Sequence, residues 1–393
     1  MNLTKELIHR IQSVIGAHKA PVPLHVPEFH GRERELLLDC INSGWVSSVG
    51  SYVDAFEEEV ARLSGCARGV AVSNGTAALQ IALLVSGVLA GDEVLMPALT
   101  FVATANATSH LSAVPHFVDS AYDTMGICPI SLRTHLERVA EVKSGVTWNC
   151  ATGRRIAAIV PVHVFGCPVN MNALKSVISD WPMAVVEDAA ESLGSSYHKN
   201  PCGSLGGIAA ISFNGNKIIT TGGGGAIVTN DLKLAKRAKH LTTTAKLKHK
   251  WAFIHDDVGY NYRMPNLNAA LGVAQLEQLG DRLKQKQLLF NAYAKAFNGL
   301  VGAKLFTAPE GSKTNNWLVT VMLDRDKAHQ RDNLLESLNM ANITARPIWT
   351  LMHKLPMYSC CPRANLTKAI DLEARVLNIP SSAQLGVLQE NVA

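Results

Sequence analysis

The segments AVVEDAAE (184–191) and IAAISFNGNK (208–217) are short apolar runs that end in polar residues. Five further short runs of β-forming residues lie at 70–73, 93–96, 115–118, 156–162 and 226–229. Most of the seven are nearly continuous in Val, Ile and Ala, as strands covered on both faces are, and helical patterns separate them. The sequence therefore predicts an α/β fold around a seven-stranded, mostly parallel sheet.

The pattern changes after Pro265, where residues 266–300 form a long helical stretch with only Gly272 and Gly280 as weak points. The rest of the chain alternates between strand and helix patterns, with a strand at 317–323, a helix near 332–338 and a β-like piece near Ile343. Residues 1–20 have the apolar spacing of an amphipathic helix. We therefore predict an N-terminal helix and a large domain over 1–265, followed by a connecting helix and a smaller α+β domain over 266–393.

Composition excludes several classes of protein. The 393 residues carry 37 Lys and Arg against 32 Asp and Glu, without long runs of like charge, so we expect no nucleic-acid partner. The eight cysteines are scattered without metal-ligand spacing, which predicts no metal site and favours the cytoplasm. The longest apolar stretch, 77–90, is shorter than the roughly 20 residues that span a bilayer, so we expect no membrane contact.

Parallel strands deliver functional groups from their carboxyl ends, and four of these ends carry distinctive residues. Gly75 and Thr76 open a helix after the first run, where backbone N–H groups bind phosphate, although a plain helix cap is the alternative. Asp188 and Glu191 follow a buried run and need a positive partner, which a structural salt bridge would also provide. Lys217 follows another run, where a solvated surface lysine is the alternative.

The combination indicates one cofactor. A lysine amine that condenses with an aldehyde, a carboxylate facing a protonated pyridine nitrogen and a helix end for phosphate are the three anchors of pyridoxal 5′-phosphate. Phe101, after a further run, would stack on the flat ring, with core packing as the alternative. The four glycines at 222–225 precede a strand instead of opening a helix, which argues against a nicotinamide-dependent oxidoreductase.

These segments together resemble the DegT/DnrJ/EryC1/StrS family of sugar aminotransferases. The matching motifs lie at 73–76, 100–101, 187–191, 212–217 and 259–264, and the resemblance runs from 24 to 382. It implies a fold type I aminotransferase that works as a homodimer with active sites at the subunit interface.

The resemblance also implies roles for individual residues. It makes Lys217 the residue that binds the cofactor covalently and Asp188 the partner of the ring nitrogen. The other positions that it implies are Gly75, Thr76 and Ser212 at the phosphate, Phe101 against the ring, Glu191 near the ring hydroxyl, Asn261 reaching the phosphate from the neighbouring subunit, and Arg346 and His353 at the substrate.

The reaction that the resemblance implies is amino transfer from L-glutamate to the C4 keto carbon of a nucleotide-linked 4-keto-6-deoxy sugar. Segments 44–50, 214–225 and 255–262 look most similar to members that act on UDP-2-acetamido-2,6-dideoxy-4-ketohexose, for lipopolysaccharide or other surface glycans. A GDP-perosamine synthase and a 3-keto sugar aminotransferase are the alternatives within the family. Outside the family, the alternatives are a nicotinamide-dependent oxidoreductase and a cofactor-binding regulator without turnover.

Overall fold

The computed structural model describes residues 3–390. Its α-helices are α1 Leu3–Ile15, α2 Glu33–Ser43, α3 Ser51–Leu63, α4 Gly75–Val85, α5 Val102–Ser109, α6 Pro129–Val139, α7 Met171–Ile178, α8 Leu232–Thr242, α9 Asn266–Glu277, α10 Leu279–Phe297, α11 Arg331–Met340, α12 Thr367–Arg375 and α13 Gln384–Glu390. Its strands are β1 Arg68–Val72, β2 Glu93–Pro97, β3 Val114–Val118, β4 Ala140–Lys143, β5 Val146–Asn149, β6 Ile156–Ile159, β7 Ala184–Asp188, β8 Ser196–Tyr197, β9 Asn200–Pro201, β10 Ile208–Ser212, β11 Gly225–Thr229, β12 Ala303–Leu305, β13 Ser312–Lys313, β14 Val319–Leu323, β15 Arg346–Pro347 and β16 Val376–Ile379.

The seven predicted strands form one sheet, in the order β1-β11-β10-β7-β6-β2-β3. Strand β11 runs antiparallel to β1 and β10, and the other pairs are parallel. Strands β2 and β11 are buried at every position, because helices cover both faces of the sheet. The predicted α/β fold with a mostly parallel sheet is confirmed.

The sheet topology places the candidate residues along one edge. Strand β1 leads into α4 at Gly75, β7 ends at Asp188 and β10 ends at Ser212. The parallel neighbours β7 and β10 present their carboxyl ends at the same edge, and antiparallel β11 begins there. Side chains that follow these strands therefore meet in one place.

The helical stretch predicted as continuous over 266–300 divides at Gln278. The side-chain amide of Gln278 donates to the Ala274 carbonyl at 2.9 Å, and the backbone N–H of Gln278 donates to Gln275 instead. A side chain thus occupies the carbonyl that a continuous helix would pair with the backbone, which ends α9 before α10 begins.

Two hydrophobic cores lie on either side of the break at Gln278. Helix α9 packs with Ala270 and Ala274 against Leu36 and Cys40 of α2, beside the large sheet. Helix α1 instead shares a buried cluster with α10 and β14 of the C-terminal half. Helices α1 and α9 thus each pack with the opposite part of the chain, and the domain boundary at 265/266 stays a prediction.

The C-terminal half forms a second sheet of four strands, in the order β12-β14-β16-β15. The predicted strand at 317–323 and helix near 332–338 correspond to β14 and α11. The β-like piece near Ile343 is only an isolated bridge to Val22. Among the helices within residues 3–390, none has both the length and the apolar character that a bilayer span requires.

Candidate active site

A cavity of about 340 Å³ opens at the carboxyl edge of the large sheet. Seven of the ten predicted site residues line it: Gly75, Thr76, Phe101, Asp188, Glu191, Ser212 and Lys217. Because these residues come from four separate chain segments, it is the sheet topology that brings them together.

One end of the cavity is the start of α4. The Asn74 side chain caps this helix by accepting from the Ala77 N–H at 2.8 Å, and the first backbone N–H groups of a helix have no partner within it. A Cβ at position 75 would lie 2.8 Å from Cβ of Ser212, so the close approach of α4 to β10 requires glycine. This corner, with Thr76 and Ser212, is suited to bind an anion.

Asp188 lies at the tip of β7 with 6% of its surface exposed. Its Oδ2 accepts from Thr104 Oγ1 at 2.7 Å and its Oδ1 from the Ala190 N–H at 3.2 Å. Burial raises the pKa of Asp188, although the Thr104 hydrogen bond opposes the shift. A cationic group that enters the cavity would therefore stabilise the carboxylate.

The neighbouring carboxylate, Glu187, has a different role because successive strand residues point to opposite faces. Glu187 Oε2 accepts from His163 Nε2 at 3.0 Å and from the Gly203 N–H at 2.9 Å, and Oε1 accepts from Gly206. The Val169 N–H donates to His163 Nδ1, which assigns the ring proton to Nε2. Glu187 is thus held by structural hydrogen bonds, and Asp188 is the carboxylate that faces the cavity.

Lys217 and Glu191 form an ion pair in the cavity. Lys217 Nζ lies 3.3 Å from Glu191 Oε1, and Glu191 Oε2 accepts from the Phe165 N–H at 2.9 Å. Burial raises the pKa of Glu191, and the positive charge of Lys217 opposes this shift. The amine is largely shielded from water, because 13% of the Lys217 side chain is exposed.

Aromatic residues that the sequence analysis missed complete the cavity wall. The Trp317 ring centroid lies 4.0 Å from Lys217 Nζ, and the Trp349 ring lies 4.8 Å from that of Phe165 and 6.4 Å from that of Phe101. Both tryptophans lie in or beside β-like segments of the C-terminal half, where core packing is the usual interpretation. No local pattern distinguishes them from core residues.

The other three predicted residues do not line this cavity. Asn261 is exposed, and its amide oxygen accepts from the Arg263 guanidinium. Arg346 is exposed on β15, whereas His353 is half-buried with an unpartnered Nδ1 and a pKa lowered by burial and by Arg363. Their substrate or partner-subunit roles stay predictions.

The residues present fit pyridoxal 5′-phosphate. The cavity combines an amine, a buried carboxylate that a protonated nitrogen would satisfy, an anion-binding helix start and the exposed face of Phe101. These groups would serve the aldehyde, the ring nitrogen, the phosphate and the flat ring of this cofactor.

Comparison with known proteins gives the same assignment. Residues 27–392 match the model of the DegT/DnrJ/EryC1/StrS aminotransferase family. GDP-perosamine synthase of Escherichia coli O157:H7 is 35% identical over 364 residues, which cover 93% of this chain and 94% of that protein. DesI, solved in the presence of its TDP-sugar product, has 27% identity and a TM-score of 0.82, with coverage of 97% of this chain and 96% of that one.

The fold is shared more widely. PseC of Helicobacter pylori, an aminotransferase of pseudoaminic acid biosynthesis, has a TM-score of 0.83 at 21% identity, with 94% of this chain and 98% of that chain covered. The predicted fold type I architecture and cofactor are therefore confirmed. The chain belongs to the DegT/DnrJ/EryC1/StrS aminotransferase family and is a pyridoxal-phosphate-dependent sugar aminotransferase.

Proposed function

We propose that this enzyme transfers the amino group of L-glutamate to the C4 keto carbon of a nucleotide-linked 4-keto-6-deoxy sugar. The observation that carries the proposal is the position of Lys217 Nζ, which lines one cavity together with Asp188, Glu191 and the start of α4. The full-length match to sugar aminotransferases supports the sugar as acceptor.

When bound, pyridoxal phosphate supplies an electron sink that allows a proton to leave the carbon bearing the amino group. Lys217 Nζ, which lines the cavity, would take up and return this proton. Asp188 would keep a proton on the ring nitrogen through a charge-assisted hydrogen bond. Gly75, Thr76 and Ser212 would hold the phosphate.

The two candidates for the nucleotide that carries the substrate sugar are UDP and GDP. We propose UDP-2-acetamido-2,6-dideoxy-4-ketohexose, because segments 44–50, 214–225 and 255–262 look similar to enzymes acting on this sugar. A GDP-linked 4-keto-6-deoxyhexose is the second candidate, and the 35% identity to GDP-perosamine synthase favours it. Either product would be a 4-amino sugar for a surface glycan.

A substrate panel tests the proposal. Purified protein with L-glutamate is offered UDP-, GDP- and dTDP-linked 4-keto and 3-keto sugars, and the products are identified by NMR. We expect a new amine at C4 and a preference for the UDP sugar. Amination at C3, or turnover of the GDP sugar alone, would contradict the respective part of the proposal.

We also propose a homodimer in which Asn261 serves the partner's site. Two segments expose large apolar side chains, as interaction surfaces do. These residues are Trp45, Val46, Val49, Trp251, Phe253 and Val258. Asn261 lies close to the second segment and is absent from its own chain's cavity wall, as expected of a residue that acts across an interface.

A hybrid dimer tests the assignment of Asn261. We expect Lys217→Ala and Asn261→Ala each to be inactive as homodimers, because each lacks one component in both sites. Mixed dimers of the two variants would regain activity, because one site then contains both native residues. Activity is measured after purification with two different affinity tags, and an inactive hybrid would refute a role for Asn261 across the interface.

A further inference from the structure

Trp317 reaches the active site from the C-terminal half of the chain and contacts the segment that carries Lys217 in two ways. Its ring centroid lies 4.0 Å from Lys217 Nζ, within the range of a cation–π interaction. Its indole Nε1–H donates to the Asn216 carbonyl at 2.8 Å, which is the peptide directly before Lys217. One side chain thus contacts both the amine and the backbone that carries it.

The position of Trp317 is itself fixed by buried groups. Its N–H donates to Asn315 Oδ1 at 2.9 Å, and its carbonyl accepts from Lys286 Nζ at 3.1 Å. Asn315 and Lys286 are each 1% exposed, and Trp317 is 4% exposed. Asn316 has a left-handed φ of 50° and donates to Gln287 Oε1 of α10. The indole therefore has little freedom to move away from Lys217.

Core packing alone does not explain this geometry. A packing residue needs only to fill volume, whereas the indole N–H and the ring face of Trp317 meet consecutive residues of the catalytic segment. Glu191 approaches Nζ at 3.3 Å, so the amine lies between a carboxylate and an aromatic face. Both groups attract the positive amine and define one position for it.

We propose that Trp317 is a positioning residue for Lys217, whose ring face holds the amine beside Glu191 and whose indole N–H fixes the peptide before it. The proposal rests on the predicted covalent role of Lys217. It means that the protonated amine has a defined position when it is not attached to the cofactor, from which it returns the proton. Geometry of this kind contributes to rate more than to substrate binding.

The test compares Trp317→Phe, which keeps a ring and loses the N–H, with Trp317→Met, which loses both. The full chain is freed of cofactor by dialysis, and stopped-flow absorbance follows the capture of added pyridoxal phosphate. Borohydride reduction and mass spectrometry then identify the modified lysine. We expect Trp317→Met to slow capture and kcat about tenfold with KM for the nucleotide sugar unchanged, and Trp317→Phe to show about a threefold effect.

The matched controls are Trp181→Phe and Trp181→Met, since Trp181 is buried in a separate cluster and contacts Arg133. We expect these variants to lower Tm without changing capture or kcat per folded protein. Native rates in Trp317→Met, or equal effects at both tryptophans, would overturn the proposal. Should Trp317→Met fail to fold, native capture and kcat in Trp317→Phe would overturn it.

The same measurements separate this proposal from the assignments on which it rests. If borohydride labels a lysine other than Lys217 in the unmodified protein, the predicted covalent residue is wrong and the proposal falls with it. If Lys217 is labelled but the sugar panel yields no amine, the proposed substrate is wrong, and the capture rates still decide the role of Trp317.

Discussion

Two of the groups of buried ionisable side chains on the large sheet differ in what surrounds them. The cavity cluster, Asp188, Glu191 and Lys217, borders about 340 Å³ of open space. The histidine cluster, Glu93, His116 and His135, is equally buried, with 0%, 1% and 5% of each residue exposed, but does not line this cavity.

The histidine cluster satisfies its polar atoms internally. Arg138 donates to His135 Nδ1 at 3.3 Å, which assigns the proton of that ring to Nε2. His135 Nε2 then donates to His116 Nε2 at 2.7 Å, and His116 Nδ1 donates to Glu93 Oε2 at 2.7 Å. Burial of ionisable groups alone therefore does not mark a ligand site: of these two clusters, the cavity cluster is the one that borders space for a ligand.

The largest expected effect is at the centre of the cavity cluster. Lys217→Ala should lower amino transfer by about a thousandfold or more, because the residue proposed as covalent anchor and proton carrier is lost. Product amine is measured by mass spectrometry in a single turnover, and Tm should stay near its original value. Lys233→Ala, an exposed lysine of α8, is the control, and substantial turnover by Lys217→Ala would remove the basis of the comparison.

The adjacent carboxylates Glu187 and Asp188 of β7 should respond differently to the loss of their charge. Asp188→Asn should slow kcat about 10- to 100-fold through the lost charge-assisted hydrogen bond, with Tm unchanged or higher because a buried charge disappears. Glu187→Gln should instead lower Tm by several degrees, because an amide cannot accept all the hydrogen bonds that hold Glu187. Differential scanning fluorimetry and kcat are measured on both. A reversed pattern would mean that their assignments are exchanged.

A smaller expected effect is the change of folding stability with pH, which has opposite signs for the two clusters. Burial, with the charges of His116 and Arg138, lowers the pKa of His135 to about 4, so its contribution to stability is present above about 6.5 and is lost as pH falls towards 4. Burial raises the pKa of Asp188 and Glu191, so their protonation favours the folded state as pH falls.

The substitution His135→Gln tests the sign of the pH dependence predicted for His135. Glutamine can donate to His116 and accept from Arg138, but it does not titrate. Between pH 6.5 and 4.5, we expect the free energy of unfolding of the variant to fall less than that of the native protein, by roughly 2 kcal/mol. Urea unfolding at several pH values provides the measurement. The control is His9→Gln, at an exposed site, whose free energy of unfolding should depend on pH as that of the native protein does. If the free energy of unfolding of His135→Gln fell in parallel with that of the native protein, the predicted sign of the pH dependence would be wrong.

The elements and residues that the sequence predicts are those whose positions follow from a local pattern. Strands β7 and β10 are apolar runs, and Asp188 and Lys217 follow from the rule that parallel strands carry function at their carboxyl ends. Trp317 and Trp349 were missed because tertiary folding brings them to Lys217 and Phe165 from the C-terminal half. The break at Gln278 was missed because it depends on where one side-chain amide points. The short edge strands β12 and β15 have too few residues for a periodic pattern.

The break at Gln278 also connects parts of the chain that are far apart in sequence. Gln278 Nε2 donates to Glu33 Oε1 at 2.7 Å, and a Cβ at Gly31 would lie 2.4 Å from this nitrogen. The break between α9 and α10 is therefore in contact with the chain before α2, and α10 carries Lys286, which donates to the Trp317 carbonyl. A continuous series of side-chain contacts thus connects the segment before α2 with the tryptophan that lies over the Lys217 amine.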